Sequence, residues 1–306
     1  MMATKPRLGK EAVEAKGWLK ANKWLILRRL SQFGILGLFL LGPLAGVWIV
    51  KGNLAYSMTL DFLPLSDPHI LLQAVLAGVE PHGEAIIGVI IVVVVYMLIG
   101  GRVFCSWVCP VNLVTDLSCC VRRMLGIRTS TQLSRSARYW LLGVTLILPL
   151  ITGAIVWEMF NPVSMAFRGL VFGLGMAWVI LLGIFLFDIF VSKEGWCGRL
   201  CPVGAFYSLL GWKSLLRVVA EDREKCDDCM ECYEVCPEEQ VIRPALKGKE
   251  QGIGPVILSS NCTNCGRCID VCAEDVFHFG SRFANQKTNL GSAEIKTKEQ
   301  TFSDAA

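Results

Sequence analysis

CDDCMECYEVCP occupies residues 226–237, and CTNCGRCIDVCA occupies residues 262–273; we call these segments the first loop and the second loop. Each has the spacing C-x2-C-x2-C-x3-C of bacterial two-cluster ferredoxins. Three close thiolates can wrap three corners of an iron–sulfur cube, and the fourth cysteine begins a helix that leads to the other cube. The pattern therefore predicts a small α+β ferredoxin-like domain with two [4Fe-4S] clusters over residues 216–280.

The same pattern assigns the ligands, because the fourth cysteine of each loop ligates the cluster of the other loop. The first cluster would be held by Cys226, Cys229, Cys232 and Cys272. The second would be held by Cys262, Cys265, Cys268 and Cys236. A cytoplasmic location argues against disulfides. Zinc sites use pairs of close ligands, whereas these loops offer three cysteines plus one.

The two loops differ in charge. The acidic residues around the first loop are Asp227, Asp228, Glu231, Glu234, Glu238 and Glu239. Those around the second are Asp270, Glu274 and Asp275, with Arg267 beside them. Because negative charge disfavours the addition of an electron, we expect the lower reduction potential at the first cluster. The alternative is that these acids are solvated and screened.

The rest of the chain is unusually apolar. Of 306 residues, 53% are hydrophobic and only 18% are charged, which argues against a purely soluble protein and excludes a disordered one. Four uncharged runs lie at residues 30–50, 85–101, 139–157 and 169–187. Each is close to the roughly 20 residues that a helix needs to cross a bilayer. We expect a four-helix transmembrane domain over residues 30–215; the alternative is the buried helices of a soluble core.

Lysine and arginine predict the orientation. Eight of them precede the first run and six lie between the second and third, whereas the other two connections carry Lys51 and Arg168. The positive-inside rule then places both termini in the cytoplasm of a bacterial inner membrane. Residues 1–29 are expected to form a basic interfacial segment. The pair Arg28–Arg29 could also belong to a twin-arginine signal, but its flanks match poorly. The net charge of +4 gives no reason to expect nucleic acid.

The membrane part contains an internal repeat. The second and fourth runs end in Cys105-x-x-x-Cys109-Pro110 and Cys197-x-x-x-Cys201-Pro202, and Pro-x-Ser elements at 64–66 and 162–164 precede them. This predicts a duplicated hairpin whose halves are related by a pseudo-twofold axis along the membrane normal.

The repeat would bring together Cys105, Cys109, Cys197 and Cys201, which we call the four-thiol site. Converging thiolates could bind a third iron–sulfur centre or a metal, or could perform thiol redox chemistry. A structural role is the third alternative. Cys119 and Cys120 have no ligand spacing and are expected to pack.

Polar residues in the apolar part are candidates for a quinol site. The outer connection 51–84 carries Asp61, His69, Glu80 and His82, although an ordinary solvated loop is the favoured interpretation. Asp188 is expected near Cys197. Because electron tunnelling fades over the ~30 Å of a bilayer core, a direct route from quinol to the clusters requires a site near the four thiols.

Taken together, these motifs resemble the NapH family, the membrane ferredoxin-type subunits of the periplasmic nitrate reductase system. The same core occurs in NosR, MauN and CcoG-type proteins. The resemblance covers residues 25 to 280 and implies a quinol dehydrogenase that works with the quinone pool and a periplasmic NapG-like ferredoxin subunit. Electrons would pass from there to nitrate reductase.

The main hypothesis is therefore a membrane electron-transfer subunit of nitrate respiration. The alternative is an assembly or maturation factor that reduces a metal or disulfide of a respiratory metalloenzyme. A membrane anchor with purely structural clusters is the third possibility. Residues 281–306 are polar and are expected to be a disordered tail.

Overall fold

A computed structural model describes residues 8–284, apart from positions 128, 132 and 174. The basic residues Lys5, Arg7 and Arg128 lie outside the described residues, as does the expected polar tail beyond residue 284. The tail expected from residue 281 begins later than predicted, because Ser281 ends a strand and Arg282 donates to the Trp212 carbonyl oxygen. The described chain consists of a helical part, residues 9–213, followed by an α+β unit.

The first half of the helical part opens with three helices, α1 (Lys10–Lys16), α2 (Trp18–Ala21) and α3 (Lys23–Ala45). An antiparallel sheet follows, formed by β1 (Val50–Gly52), β2 (Tyr56–Thr59) and β3 (Leu63–Ser66). The half then continues with α4 (Pro68–Leu76), α5 (Gly83–Ile99), α6 (Val103–Trp107) and α7 (Val111–Met124).

The second half is built in the same order without the sheet. It contains α8 (Ala137–Thr152), α9 (Val156–Phe160), α10 (Pro162–Phe172), α11 (Met176–Phe190), a π-helical turn (Trp196–Leu200) and α12 (Pro202–Leu210). A 3-10 turn, Gly211–Lys213, leads into the C-terminal unit.

The C-terminal unit has the expected α+β composition. Strands β4 (Leu216–Val219) and β5 (His278–Ser281) pair antiparallel, with Leu216 opposite Ser281. Between them lie α13 (Glu231–Val235), α14 (Ile242–Lys247) and α15 (Arg267–Val271). Their apolar side chains share one core with cysteines of both loops.

The apolar helices are shorter than their sequence runs predict. Among the described residues, α3 alone is long and apolar enough to cross a membrane by itself. Helix α5 has 17 residues, about 25 Å, and ends where Gly100 takes φ 136°. Gly153, at φ 65°, ends α8. The predicted run 169–187 is not one helix, because the chain breaks between α10 and α11 next to Gly173, at φ 92°.

These helices turn large apolar side chains outward. Leu44 of α3 is 80% exposed, Ile151 of α8 78% and Val179 of α11 61%, and only Gly88 of α5 is buried. A soluble core would cover such residues, so the helical part presents a broad apolar surface to its surroundings.

The two halves correspond most closely at two short helices. Asp67 caps α4 by accepting hydrogen bonds from the His69 and Ile70 amides, and Asn161 caps α10 by accepting one from Val163. A proline follows each cap. The repeated element is therefore Asp/Asn-Pro, and the Pro-x-Ser alignment is wrong, because Pro64 lies within β3.

Each half packs against the other. Helix α7 of the first half lies against α11 of the second, and α12 of the second lies against α5 of the first. In the same way α4 contacts α8, and α10 contacts α3. The two halves approach closely at Gly101, where a Cβ atom would lie 1.7 Å from the Tyr207 carbonyl oxygen. This reciprocal packing is the arrangement expected of a pseudo-twofold repeat.

Several arginines expected at a membrane boundary are buried instead. Arg28, Arg102, Arg122 and Arg138 are each less than 5% exposed. Arg28, for example, donates to the Ser106 carbonyl oxygen, the Asn112 side chain and the Asp116 carboxylate. These arginines therefore form hydrogen bonds inside the protein, which the number of positive charges in each connection does not reveal.

Candidate functional site: three groups of cysteines

The two ferredoxin loops have the same backbone shape. Positive φ angles occur at Asp228 and Met230 in the first loop and at Asn264 and Gly266 in the second, with values between 47° and 73°. In each loop these positions are two and four residues after the first cysteine. This left-handed backbone makes the chain turn tightly within each loop.

The thiols of the two loops form two groups, each with three cysteines of one loop and the fourth cysteine of the other. After burial, the causes that most raise the pKa of Cys232, to about 12, are Cys229, Cys226 and Cys272. The pKa of Cys236 is likewise raised by burial and then by Cys265, Cys268 and Cys262. Each fourth cysteine thus lies beside the three thiols of the opposite loop.

The structure also brings the four-thiol site together. Burial raises the pKa of Cys197, and Cys201, Cys109 and Cys105 raise it further. Cys105 lies in α6, whereas Cys109 follows the end of that helix, so the two do not share one helical face. The break before Pro110 agrees with the prediction that proline ends the helix.

Two of these thiols lie at helix amino termini. The amides of Val111 and Asn112, at the start of α7, hydrogen-bond Cys109 and lower its pKa against the effect of burial. The Val203 and Gly204 amides of α12 act in the same way on Cys201, whose pKa burial raises to about 11. Amide groups and the helix dipole favour a thiolate there.

Arg102 supplies a positive charge beside the four-thiol site. Its guanidinium hydrogen-bonds Cys105 and, through Nη2, the Cys197 carbonyl oxygen at 3.0 Å. It also lies within electrostatic range of Cys262, the first cysteine of the second loop. One cation therefore influences thiols from both halves and from the C-terminal unit.

A buried ion pair fixes Arg102. Nη1 donates to Glu238 Oε1 at 2.5 Å, and Arg138 donates to the same oxygen at 2.8 Å. Arg102 and Arg138 also hydrogen-bond the backbone and side chain of Asn261. Because Asn261 precedes Cys262, this cluster holds the second loop against the four-thiol site.

Further contacts make the second loop the inner one. Ser106 and Trp107 of the first half donate to the carbonyl oxygens of Thr263 and Asn264, at 2.8 and 3.1 Å. The first loop lies toward the N-terminal segment, where its Glu231 accepts from the Gly9 amide, and Cys229 is exposed. The order is therefore four-thiol site, second loop, first loop.

The donor sets suit iron–sulfur clusters. Each of the three groups offers four thiols together with backbone N–H groups or cations that favour thiolates. Within the part of the chain that the structure describes, no three His, Cys, Asp or Glu side chains converge on a single-ion position. Cys119 packs as expected and donates to Glu194.

The polar candidates of the outer connection separate into two kinds. Asp61 is exposed and pairs with Lys51, and Glu80 and His82 are also exposed. His69 contradicts the solvated-loop interpretation, because it is fully buried. Its ring centroid lies 5.3 Å from that of Phe206 in α12. Asp188 is buried and accepts from the Trp196 amide next to Cys197, as predicted.

A small cavity lies at the amino-terminal ends of α4 and α10. Asp67, Asn161 and Ser164 line it on one side, and Phe104 and Val203 on another. Phe104 directly precedes one of the two Cys-x-x-x-Cys-Pro elements, and Val203 directly follows the other. The sequence reasoning missed this cavity and the Arg102–Glu238–Arg138 cluster; the repeated Asp/Asn-Pro dipeptide could have indicated the former.

Two families of known proteins match the chain. A family described as a 4Fe-4S binding domain matches residues 81–128 and 174–218, the segments that carry the four-thiol site. A 4Fe-4S dicluster domain matches residues 225–276. No solved structure matches the chain.

Three relatives illustrate the similarity. The ferredoxin-type protein NapH of Haemophilus influenzae is 50% identical over 92% of this chain and 98% of its own length. NapH of Escherichia coli is 46% identical over 93% and 99%. The methylamine utilization ferredoxin-type protein MauN of Methylorubrum extorquens is 50% identical over 89% and 94%.

Proposed function

From the premise that the chain belongs to the NapH and MauN family of ferredoxin-type proteins and is an iron–sulfur electron-transfer protein, we propose that it oxidises quinol in a bacterial inner membrane. Electrons would pass with the help of a NapG-like periplasmic ferredoxin to periplasmic nitrate reductase. The observation that supports the proposal is the bridge made by Arg102, which donates hydrogen bonds to the carbonyl oxygens of Asn261, next to the second loop, and of Cys197 in the four-thiol site.

Three clusters fit the three groups of thiols. Cys226, Cys229, Cys232 and Cys272 would hold the first, and Cys262, Cys265, Cys268 and Cys236 the second. We assign a third to Cys105, Cys109, Cys197 and Cys201, because a 4Fe-4S family model matches both halves that supply them. When bound, such clusters accept and release single electrons. The protein holds them in one series and supplies the amides and the Arg102 charge that tune them.

The membrane placement rests on the apolar surface. Helices α3, α5, α8 and α11 would span the bilayer, and the shorter α4 and α10 would enter it from the outer side. Outward-facing side chains such as Leu44 and Ile151 would contact lipid instead of water. Both termini would then lie in the cytoplasm, as the distribution of positive charge favours.

Identity alone does not choose between nitrate respiration and methylamine utilization, since NapH and MauN relatives both reach 50%. An electron supply to a methylamine system is therefore the second candidate. The electron-transfer chemistry of this chain would be the same in both, because neither final substrate needs to bind to it.

The test is reduction by quinol of protein purified without oxygen. A short-chain quinol should bleach the visible absorbance of the clusters and produce the electron paramagnetic resonance signal of reduced [4Fe-4S]. Dithionite serves as the control that the clusters can be reduced. If dithionite reduces them and quinol does not, quinol oxidation is refuted, and reduction of a metal or disulfide by the reduced protein would then favour the maturation-factor alternative.

A further inference from the structure

The segment that precedes the first apolar helix packs on the C-terminal unit. Helices α1 and α2 both contact α15, and Ala12 of α1 and Ala21 of α2 are buried. The sequence alone predicted a basic interfacial segment over residues 1–29. Within it, α1 and α2 are attached to the part of the protein that carries the two ferredoxin loops.

Lys16 holds the carboxyl end of α1 beside Cys272. Its Nζ atom donates to the Ile269 carbonyl oxygen at 3.0 Å and to the Asp275 carboxylate at 2.5 Å. Ile269 lies three residues before Cys272, and Asp275 lies three residues after it. The Lys16 side chain is only 10% exposed, so water and salt screen its charge less than they screen that of a surface lysine.

The other end of α1 reaches the first loop. The Gly9 amide donates to Glu231 Oε2 at 3.0 Å, and Glu231 directly precedes Cys232. Cys232 and Cys272 come from different loops but are assigned to the same cluster. Helix α1 therefore links the two segments that supply ligands to the first cluster.

The charge of Lys16 acts on Cys272. Burial raises the pKa of this thiol, whereas hydrogen bonds from two following backbone amides and the charge of Lys16 lower it. A cation that favours a thiolate also favours an added electron on the cluster that the thiolate holds. At the second loop, Arg217 and Arg102 act on Cys262 in the same sense.

A second lysine near the first loop differs from Lys16 in exposure. Lys247 lies within electrostatic range of Cys226 and pairs with Asp228. Its side chain is 43% exposed, whereas that of Lys16 is 10% exposed. Because solvent weakens the field of an exposed charge, Lys16 should influence the first cluster more strongly.

We propose that α1 belongs to the site of the first cluster and that Lys16 is a positioning residue that raises the reduction potential there, against the acids of the first loop. Reduction adds one electron, and with it one negative charge, to the group that the four cysteines hold. No bond breaks and no proton moves, so the nearby positive charge stabilises the reduced state by electrostatics alone. The inference rests on the first cluster and not on quinol as the source of electrons.

The test is a redox titration of the full chain, purified without oxygen, with dithionite and chemical mediators. The readout is the electron paramagnetic resonance signal that Cys229→Ser alters. At the wild-type midpoint, Lys16→Gln should lower the ratio of reduced to oxidised first cluster about tenfold, as expected for loss of a shielded unit charge. A tenfold change corresponds to about 59 mV for one electron.

Two variants separate charge from structure. Lys16→Arg keeps the positive charge and should titrate like wild type. Lys10→Gln removes an exposed lysine of the same helix, which pairs with Glu14, and should also titrate like wild type. Equal shifts in Lys16→Arg and Lys16→Gln would show that the lysine acts through its shape, and the proposal would be wrong.

The remaining outcomes are equally decisive. Wild-type iron content and an unmoved potential in Lys16→Gln would overturn the proposal. If Lys16→Gln loses the first cluster, Asp275→Asn decides, because it removes the opposing charge and retains the bond from Lys16 to Ile269. The reduced fraction of that variant should rise at low salt, and a ratio at or below that of wild type would refute the proposal. Failure of quinol to reduce the wild type would refute the proposed function alone, since dithionite supplies the electrons here.

Discussion

Arg102 and Glu238 stand 136 residues apart in the chain, yet they form an ion pair of 2.5 Å in which neither side chain is more than 2% exposed. Arg138 binds the same carboxylate from the second half. The pair connects both halves of the helical part to the segment after the first loop. The pair lies between the four-thiol site and the second loop, so it fixes the position of the C-terminal unit relative to the helical part.

Removal of Glu238 should therefore destabilise the protein strongly. Glu238→Gln leaves two buried guanidinium groups without their anion, which typically costs about 3–5 kcal/mol. We expect a clearly lower midpoint of thermal unfolding in detergent. Asp222→Asn, which breaks the exposed pair with Lys225, is the matched control and should leave the midpoint unchanged. Equal midpoints for both variants would contradict the structural importance of the buried pair.

Iron content should report the third cluster. Wild-type protein prepared without oxygen should contain about twelve iron atoms per chain, and Cys109→Ala or Cys201→Ala about eight. Cys120→Ala removes a cysteine without ligand spacing and should retain about twelve. A wild-type content of about eight, unchanged by Cys109→Ala, would mean that the four-thiol site holds no cluster.

The ligand crossing can be tested one cluster at a time. Cys272→Ser should alter the electron paramagnetic resonance signal of the cluster at the first loop, because its side chain lies with Cys226 and Cys232. Cys236→Ser should alter the signal of the other cluster instead. Assignment comes from Cys229→Ser and Cys265→Ser, one from each loop. If Cys272→Ser changed the same signal as Cys265→Ser, the crossing would be refuted.

The first cluster should have the lower reduction potential. Asp227 and Glu231 lie near Cys229, whereas Arg102 and Arg217 lie near Cys262 of the second loop. Glu231→Gln removes one negative charge and should raise the lower potential by roughly 20–50 mV at low salt. The exposed Glu250, in the turn after α14, gives the control variant Glu250→Gln. A redox titration in which neither potential moves would show that the acids are screened.

Stability should fall as the pH rises from about 4 to about 6. The raised pKa of Asp67 means that folded protein holds this proton more tightly than unfolded chain does. Below pH 4 the carboxyl is protonated in both states; above pH 6 it is ionised in both, and burial then costs the folded state at most about 3 kcal/mol. Asp67→Asn should abolish this part of the pH dependence in chemical unfolding. An unchanged profile would show that Asp67 is not the group responsible.

The cysteine groups could be predicted from sequence because their geometry is mostly local. Three thiols within seven residues must lie together, and the duplicated Cys-x-x-x-Cys-Pro element indicated that Cys105 and Cys197 would meet. Helix ends were predicted less well. The apolar runs continue through Gly153 and Gly173, where hydropathy stays high but the backbone turns.

The partners of buried charge could not be predicted. Nothing local to Arg102 or Arg138 points to Glu238, which lies beyond the first loop and looked like one more of its acids. The burial of His69 could not be predicted either, because its neighbour Phe206 belongs to α12, which is far away in the sequence. Such pairs are determined by how the halves pack, and a single sequence contains no direct signal of that packing.

The reciprocal packing of α7 on α11 and of α12 on α5 has a consequence for biosynthesis. While only the first half has been translated, α7 lacks the helix α11 against which it packs, and Cys109 lacks the neighbouring thiols of the second half. The four-thiol site needs Cys197 and Cys201 as well as Cys105 and Cys109, so it can form only after the second half has been translated. A chain that stopped after α7 would leave Cys105 and Cys109 without their partners from the second half, and it would leave the face of α7 that packs on α11 uncovered.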